Sequence, residues 1–322
     1  MQLARAFLNK RQEVGIKEST KLALAFLSNR LAGKLTLIPY YIAGITDFYL
    51  NPVALKQYDM EQHNVPEKIR KQFIDSGIDV LDYTIDKADF NRWLGEINFP
   101  TEYTQAYGHA FTEKALEHYI ASALLKLNET DVYVDVAASG SPYYDQAEKK
   151  YKCKSYAVDL HLPANREDPR LIECDATDMP FEDGSISKMA LHCAFEMFEN
   201  DADIRFLKEA SRVLGIDGKM VIIPLYMAHV YYILSGTKSN RHGINYGKAK
   251  RVWWSNRNHN TNRFTRYYSV EAFLERIVNN LDGLSTKIYY FTNEQDLKQK
   301  PEDLIYVKFA ACFTKEAKDD SS

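Results

Sequence analysis

His192 and Glu196 stand four positions apart in the stretch LHCAFEMFEND, directly after an apolar run that ends at Leu191. A histidine and a carboxylate placed this way can accept a proton from a hydroxyl, or hold that hydroxyl for reaction. The same residues can serve structure alone, His192 through a core hydrogen bond and Glu196 through a local cap or pair. Three aspartates, Asp135, Asp159 and Asp175, lie at the ends of β-rich runs. The first of them opens the turn VDVAASGS, which holds one glycine, Gly140, where a nucleotide-binding loop of this layout usually holds three. Ala137, Ser139 and Ser141 fill the other places, and all are small. Such a turn keeps room for a ligand and gives up only backbone freedom, with Gly140 as the position of unrestricted φ. A dinucleotide pyrophosphate needs several backbone N–H groups at a helix N-terminus, so the loss of glycine counts against a dehydrogenase.

The elements that must position these residues begin near residue 130. From there β-rich apolar runs alternate with amphipathic segments, the pattern of βαβ units around a mainly parallel sheet. Strands are expected over 131–136, 155–160, 170–174, 186–191, 220–226, 286–291 and 304–313. Helices are expected over 142–151, 202–214 and 270–281, the last opened by Ser269 as N-cap. No helix separates the final two strands, so they pair most easily antiparallel. Before residue 130 the spacing predicts helices over 17–31, 66–75 and 112–127, joined by irregular aromatic-rich pieces. The expected division is a mainly helical extension or lid over 1–105 and a Rossmann-like domain over 106–322, with a basic, aromatic-rich insertion at 228–268.

A chain of 322 residues can bury a full α/β core. Its most apolar stretch, 31–50, contains Lys34 and Asp47 and is interrupted by Pro39 and Gly44, which argues against a membrane-spanning helix. Cys153, Cys174, Cys193 and Cys312 show neither a C-x-x-C pair nor zinc spacing, and no other metal-ligand cluster is legible. Together with the lack of a secretory signal pattern, this sets the expectation of a cytoplasmic protein, with no residues assigned as metal ligands. A basic amphipathic segment in the first thirty-odd residues suits a packed or dimerising helix, with contact at the inner membrane surface as the alternative.

Four segments in order resemble the class I S-adenosylmethionine-dependent methyltransferases, of the type 11-like kind. They are VDVAASGS, AVDL, CDATDMPFEDGSISKMALH and FLKEASRVLGIDGKMVIIPLY, which together cover about 131–226. The resemblance implies a seven-stranded, mostly parallel sheet with an antiparallel last strand, and S-adenosyl-L-methionine as cofactor. It implies a cofactor site made of Asp135, Ala137, Ser139, Gly140, Asp159, Leu160, Asp175, Ala176 and His192. Asp159 would bind the ribose hydroxyls, and Asp175 and Ala176 would meet the adenine. Met179 and Phe181 would flank the adenine ring or belong to the core. Tyr107, Gly108, His109 and His118 would close over the cofactor or pack. Glu196, where many relatives place a histidine, and His192 are the catalytic candidates.

Lys219 to Val270 carries nine Lys or Arg residues and no Asp or Glu, with Tyr and Trp interleaved. Aromatic rings stack on sugars or bases, and arginine forks bind phosphates or carboxylates. An anionic acceptor is therefore expected, with Tyr226, Arg263, Arg266 and Tyr267 as substrate-binding residues. The stretch RYYSVEAF, the glycine-poor turn and LHCAFE resemble a subgroup associated with surface polysaccharide biosynthesis. That resemblance implies O-methylation of a sugar on a glycan or lipid-linked glycan precursor. A nucleic-acid methyltransferase and a non-catalytic S-adenosylmethionine-binding protein are the competing readings, and a homo-oligomer is a further expected partner state.

Overall fold

The computed structural model describes residues 65–162, 167–236, 238–254 and 262–317. The helix expected over 17–31 and the basic amphipathic segment lie outside the described residues. Two units divide the chain. The larger is Val53–Ile233 with Ile244–Arg251 and Phe264–Ser322, and the smaller includes Leu234–Gly243 and Val252–Arg263.

Seven helices occur among the described residues: α1 Val65–Asp75, α2 Lys87–Ile97, α3 Thr101–Tyr107, α4 Phe111–Leu125, α5 Tyr143–Tyr151, α6 Ala202–Val213 and α7 Val270–Arg276. The main sheet contains β1 Asp79–Tyr83, β2 Val132–Val136, β3 Lys154–Asp159, β4 Leu171–Glu173, β5 Ile186–His192, β6 Leu214–Ile223, β10 Leu284–Phe291 and β11 Phe309–Lys315. Its strand order is β1-β10-β11-β6-β5-β2-β3-β4. Pairing is parallel except for β11, which runs antiparallel to both β10 and β6. The α/β architecture and the antiparallel last strand are therefore as expected, with one strand more than seven. Three further short strands, β7 Tyr232–Gly236, β8 Lys250–Trp254 and β9 Thr265–Tyr267, pair in the order β8-β7-β9 within the stretch read as an insertion.

The eighth strand of the main sheet is β1, inside the stretch expected to be a mainly helical extension. It pairs parallel with β10, from Asp79 opposite Lys287 to Tyr83 opposite Phe291. The expected edge at residue 105 does not coincide with a break in the larger unit, which runs on from Val53. The strand expected at 304–313 starts only at Phe309. The strand expected from residue 220 starts at Leu214. Ser269 caps α7 as expected, its hydroxyl accepting the Ala272 N–H at 3.2 Å.

Neighbouring residues on the central strands feed two separate cores. On β6, Ile222 joins the core with Phe73, Phe206 and Phe273, while Val221 and Ile223 join the core with Trp93, Leu116 and Tyr143. A strand that is apolar on both sides is the mark of a sheet covered by helices on both faces. Helix α4 lies in the second layer and is buried along nearly its whole length, including Glu113, Lys114, Glu117 and His118. Ionisable side chains without water must find partners in the protein or a ligand.

Candidate active site

Strand β2 lies between β3 and β5, so the chain leaves it toward both sides of the sheet. In open α/β sheets the ligand crevice lies beyond the carboxyl ends of the strands at such a reversal. The turn there is more strained than its sequence suggests. Ala137 has φ 56° and Ser139 φ 45°, alongside Gly140 at φ 85°. The left-handed region costs a non-glycine residue about 1–2 kcal/mol, and strain of this kind persists only where the surroundings hold it. The expectation that Gly140 alone supplies unusual backbone is thus corrected, since three of four consecutive residues do.

Hydrogen bonds fix the turn. Asp159, at the end of β3, accepts the Ser139 N–H at 2.7 Å through Oδ2 and the His161 N–H at 3.0 Å through Oδ1. Ala138 N–H donates to Val158 C=O at 3.1 Å. Leu160 follows Asp159 with its side chain largely in solvent. After β4, the Asp175 carboxylate accepts the Thr177 N–H at 2.8 Å, and Ala176 is buried beside it. Met179 belongs to the core, and Phe181 packs on Tyr156.

Two buried groups meet at the floor of the crevice. His192 Nδ1 and Asp135 Oδ1 are hydrogen-bonded at 3.0 Å. His192 Nε2 and Asp135 Oδ2 are both buried without a hydrogen-bond partner. His118 on α4 stands against them, its ring centroid 4.2 Å from that of His192 and stacked on Tyr143 at 4.1 Å. Its Nε2 meets the Tyr103 hydroxyl at 3.0 Å. Burial, with His192 and Lys114 nearby, holds its pKa well below the usual histidine range and keeps the ring neutral.

The second grouping centres on Glu196, in a short 3-10 turn, Phe195–Met197. Oε1 accepts the Cys193 thiol at 3.4 Å, while Oε2 is buried without a partner. Burial pushes this carboxyl up to about 7, against the pull of its own backbone N–H, Cys193 and Lys114. Cys193 has φ 53° and places Sγ 3.3 Å from the Tyr226 hydroxyl and 3.6 Å from that of Tyr306. Burial and the adjacent carboxylates push its thiol up to about 12, so it stays a proton donor. The Tyr267 ring lies 5.1 Å from Tyr226 and stacks on Tyr232 at 4.5 Å.

Helix α4 adds charge that the sequence did not disclose. Lys114 Nζ donates to both oxygens of Glu117, at 2.7 and 3.0 Å, in a pair nearly closed to water. Its ammonium stands 5.9 Å from the centre of the Tyr107 ring and 5.6 Å from that of Tyr306. Glu113 accepts the Tyr306 N–H at 3.1 Å and so fastens the segment before β11 to α4.

Of the expected substrate residues, Tyr226 and Tyr267 join the Glu196 grouping. Arg266 does not, being 1 % exposed and paired with Asp203, which is itself held by Arg276 at 2.6 Å and the Tyr268 hydroxyl at 2.6 Å. Its guanidinium anchors β9 to α6. Arg263 belongs to the smaller unit, where it donates to the Asn240 and His242 carbonyls at 2.8 Å each.

The unpartnered Asp135 Oδ2, the unpartnered His192 Nε2 and the half-buried carboxylate at Asp159 fit a ligand with a cationic group and vicinal hydroxyls. Residues 134–222, which span the turn, Asp159, Asp175, His192 and Glu196, match the family model described as a methyltransferase domain. This chain carries a methyltransferase domain. The methyltransferase is an enzyme, and the methyl donor such a domain implies is S-adenosyl-L-methionine. No curated protein matches the chain. Among solved structures it is similar to 1,6-didemethyltoxoflavin-N1-methyltransferase from Burkholderia thailandensis, with 15% identity and TM-score 0.39 over 74% of this chain and 94% of that one. It is also similar to geranyl diphosphate C-methyltransferase from Streptomyces coelicolor, with 14% identity and TM-score 0.42 over 78% and 97%. Among the described residues, no helix is long and apolar enough to cross a membrane, and no three His, Cys, Asp or Glu side chains are grouped to hold a metal.

Proposed function

We propose that this methyltransferase transfers its methyl group to a hydroxyl, and that the hydroxyl belongs to a sugar of a glycan or lipid-linked glycan precursor. The observation that carries the first half is Glu196, with one carboxylate oxygen buried and unpartnered and its pKa raised to about 7. A base with that pKa is half ionised near neutral pH and takes up a hydroxyl proton effectively. Cys193 holds Oε1 through its thiol, which leaves Oε2 for the proton. When bound, S-adenosyl-L-methionine supplies an electrophilic methyl group on a sulfonium. The chain's own residues bind, orient and exclude water. Asp159 takes the ribose hydroxyls, and the Ala137, Ser139 and Gly140 backbone lies against the cofactor with Leu160 beside it. Asp175 and Ala176 receive the adenine, and Asp135 with His192 takes the methionine end.

The sugar acceptor is supported by the tyrosine rings around Glu196, since flat aromatic faces stack on the C–H faces of pyranose rings, and by the resemblance to polysaccharide-assembly enzymes. An anionic acceptor has less support than the basic stretch suggested, because Arg266 is neutralised by Asp203 and Arg263 is engaged by backbone carbonyls. The nucleic-acid reading weakens for the same reason. A lipid-linked precursor would bring the enzyme to the inner membrane surface. The test is methyl transfer from labelled S-adenosyl-L-methionine to glycan and RNA fractions. Label is expected in glycan and should fall at least a hundredfold in Glu196→Gln, in line with the ~10²–10⁴ of general-base catalysis. Label in RNA, or an undiminished rate in that variant, contradicts the reading.

A further inference from the structure

We infer that Lys114, between Tyr107 and Tyr306, is the residue that docks the acceptor and selects for a neutral, ring-shaped polyhydroxyl compound. The inference rests on the hydroxyl-transfer reading above and assigns the part of the site which that reading leaves open. A lysine ammonium has three donors. Two go to the Glu117 carboxylate, and no described residue accepts the third. Burying an ammonium is costly, and a nearly buried lysine on a helix that faces a reaction site is the kind of group found where a ligand completes the hydrogen bonding.

The surroundings state what that ligand is. Tyr107 and Tyr306, from α3 and from the segment before β11, each present a ring to the ammonium and are each more than a third exposed. Leu304 is exposed two residues from Tyr306. Two exposed rings and a donor between them offer a stacking face and a hydrogen bond to a ring hydroxyl. From Tyr306 the path inward is short, because its hydroxyl meets Cys193 Sγ at 3.6 Å and Cys193 meets Glu196. Glu113, Glu117 and Glu196 adjoin this path through Tyr306, Lys114 and Cys193 respectively. The Glu117 carboxylate already offsets the charge of the ammonium, so an anionic substituent gains no net attraction there and selection is for a neutral ring.

Glu113 is the device that places Tyr306. Its Oε2 accepts the Tyr306 N–H, and Asp303, bonded to the Thr112 hydroxyl at 2.6 Å, secures the same segment three residues earlier. The loop that carries the selecting ring is therefore built onto the first turn of α4, beside Lys114.

The test uses the full chain saturated with S-adenosylhomocysteine and the methyl glycosides of glucose, galactose, mannose and N-acetylglucosamine as probes, read by saturation-transfer NMR. At least one probe is expected to bind. Its affinity should fall at least tenfold in Tyr306→Ala and in the paired change Lys114→Met with Glu117→Leu, which leaves no buried charge unpaired. S-adenosylhomocysteine affinity, read by calorimetry in each protein, should stay within twofold. Binding of no probe to the wild-type protein overturns the inference, as does a probe whose affinity both changes leave intact. In either case retained S-adenosylhomocysteine binding leaves the methyltransferase reading standing, and its absence shows that the broader reading has failed instead.

Discussion

Replacing Glu196 by Gln should stabilise the protein at alkaline pH while removing its activity. Burial raises this carboxyl from 4.5 to about 7 in the folded state. Because the folded pKa lies above the unfolded one, the native state keeps a proton that the unfolded chain has released between those values. The stabilisation is complete below about pH 4.5, declines as pH rises through 7 and is gone above it. At ~1.4 kcal/mol for each pH unit, that span amounts to about 3 kcal/mol. Glutamine keeps the shape and does not titrate. Urea unfolding of both proteins at pH 5 and pH 8.5 isolates the group, since every other titrating side chain is common to the two. The variant's stability relative to wild type should improve by about 2.5 kcal/mol between the two pH values. Parallel pH dependence, with the difference constant to within ~0.5 kcal/mol, would show that Glu196 titrates normally and is not the buried base described above.

The activity counterpart is a pH profile of kcat/KM whose acid limb falls tenfold per unit below an apparent pKa near 7, as Glu196 takes up its proton; an acid limb below pH 5.5 would assign the base elsewhere. Ala137→Gly and Ser139→Gly relieve a positive φ at each position, a saving of ~1–2 kcal/mol, less ~0.5–1 for the freedom glycine gains when unfolded. Each should therefore raise the urea midpoint modestly, and a loss of stability would contradict the strain at that position. Arg266→Met leaves Asp203 short of one buried partner and should destabilise the fold by about 3–5 kcal/mol. Where it still folds, it should bind acceptor as wild type does, and a KM defect without a stability defect would restore its expected substrate role. Gly140→Val forces a β-branched residue to φ 85° and should abolish S-adenosylhomocysteine binding, as calorimetry would show.

Much of the larger unit was legible because its central strands are apolar on both faces and are separated by helical spacing. Those strands lie within about two residues of expectation, apart from β6 and β11. Strand β1 was not legible: DVLDY sits at the sheet edge with most of its side chains in solvent, so neither alternation nor a continuous apolar run marks it. Asp135, Asp159, His192 and Glu196 could be picked out as residues at strand ends, and the structure gives each a defined partner. Lys114 and Glu117 could not, since a Lys and a Glu three apart on a helix ordinarily read as a solvated pair. Only the tertiary packing of α4 buries them. Tyr306 was hidden for a different reason, lying in a stretch expected to be strand interior. Arg266 shows the reverse error. A cation in a basic, aromatic-rich stretch looked available to a ligand, but its acid partner Asp203 lies 63 positions away in sequence, beyond any local pattern. The positive φ angles at Ala137 and Ser139 were equally out of reach, because nothing in those residue types asks for them.

The measurement closest to the centre of this account is calorimetric titration of S-adenosyl-L-methionine into the wild-type protein and Asp159→Asn. One-to-one binding is expected for the wild-type chain. The variant should bind at least tenfold more weakly, since the proposed ribose ligand is the same carboxylate that holds the Ser139 N–H in the turn. No binding to the wild-type protein up to millimolar cofactor, or equal affinity in the two proteins, would contradict a cofactor site at the β2 turn.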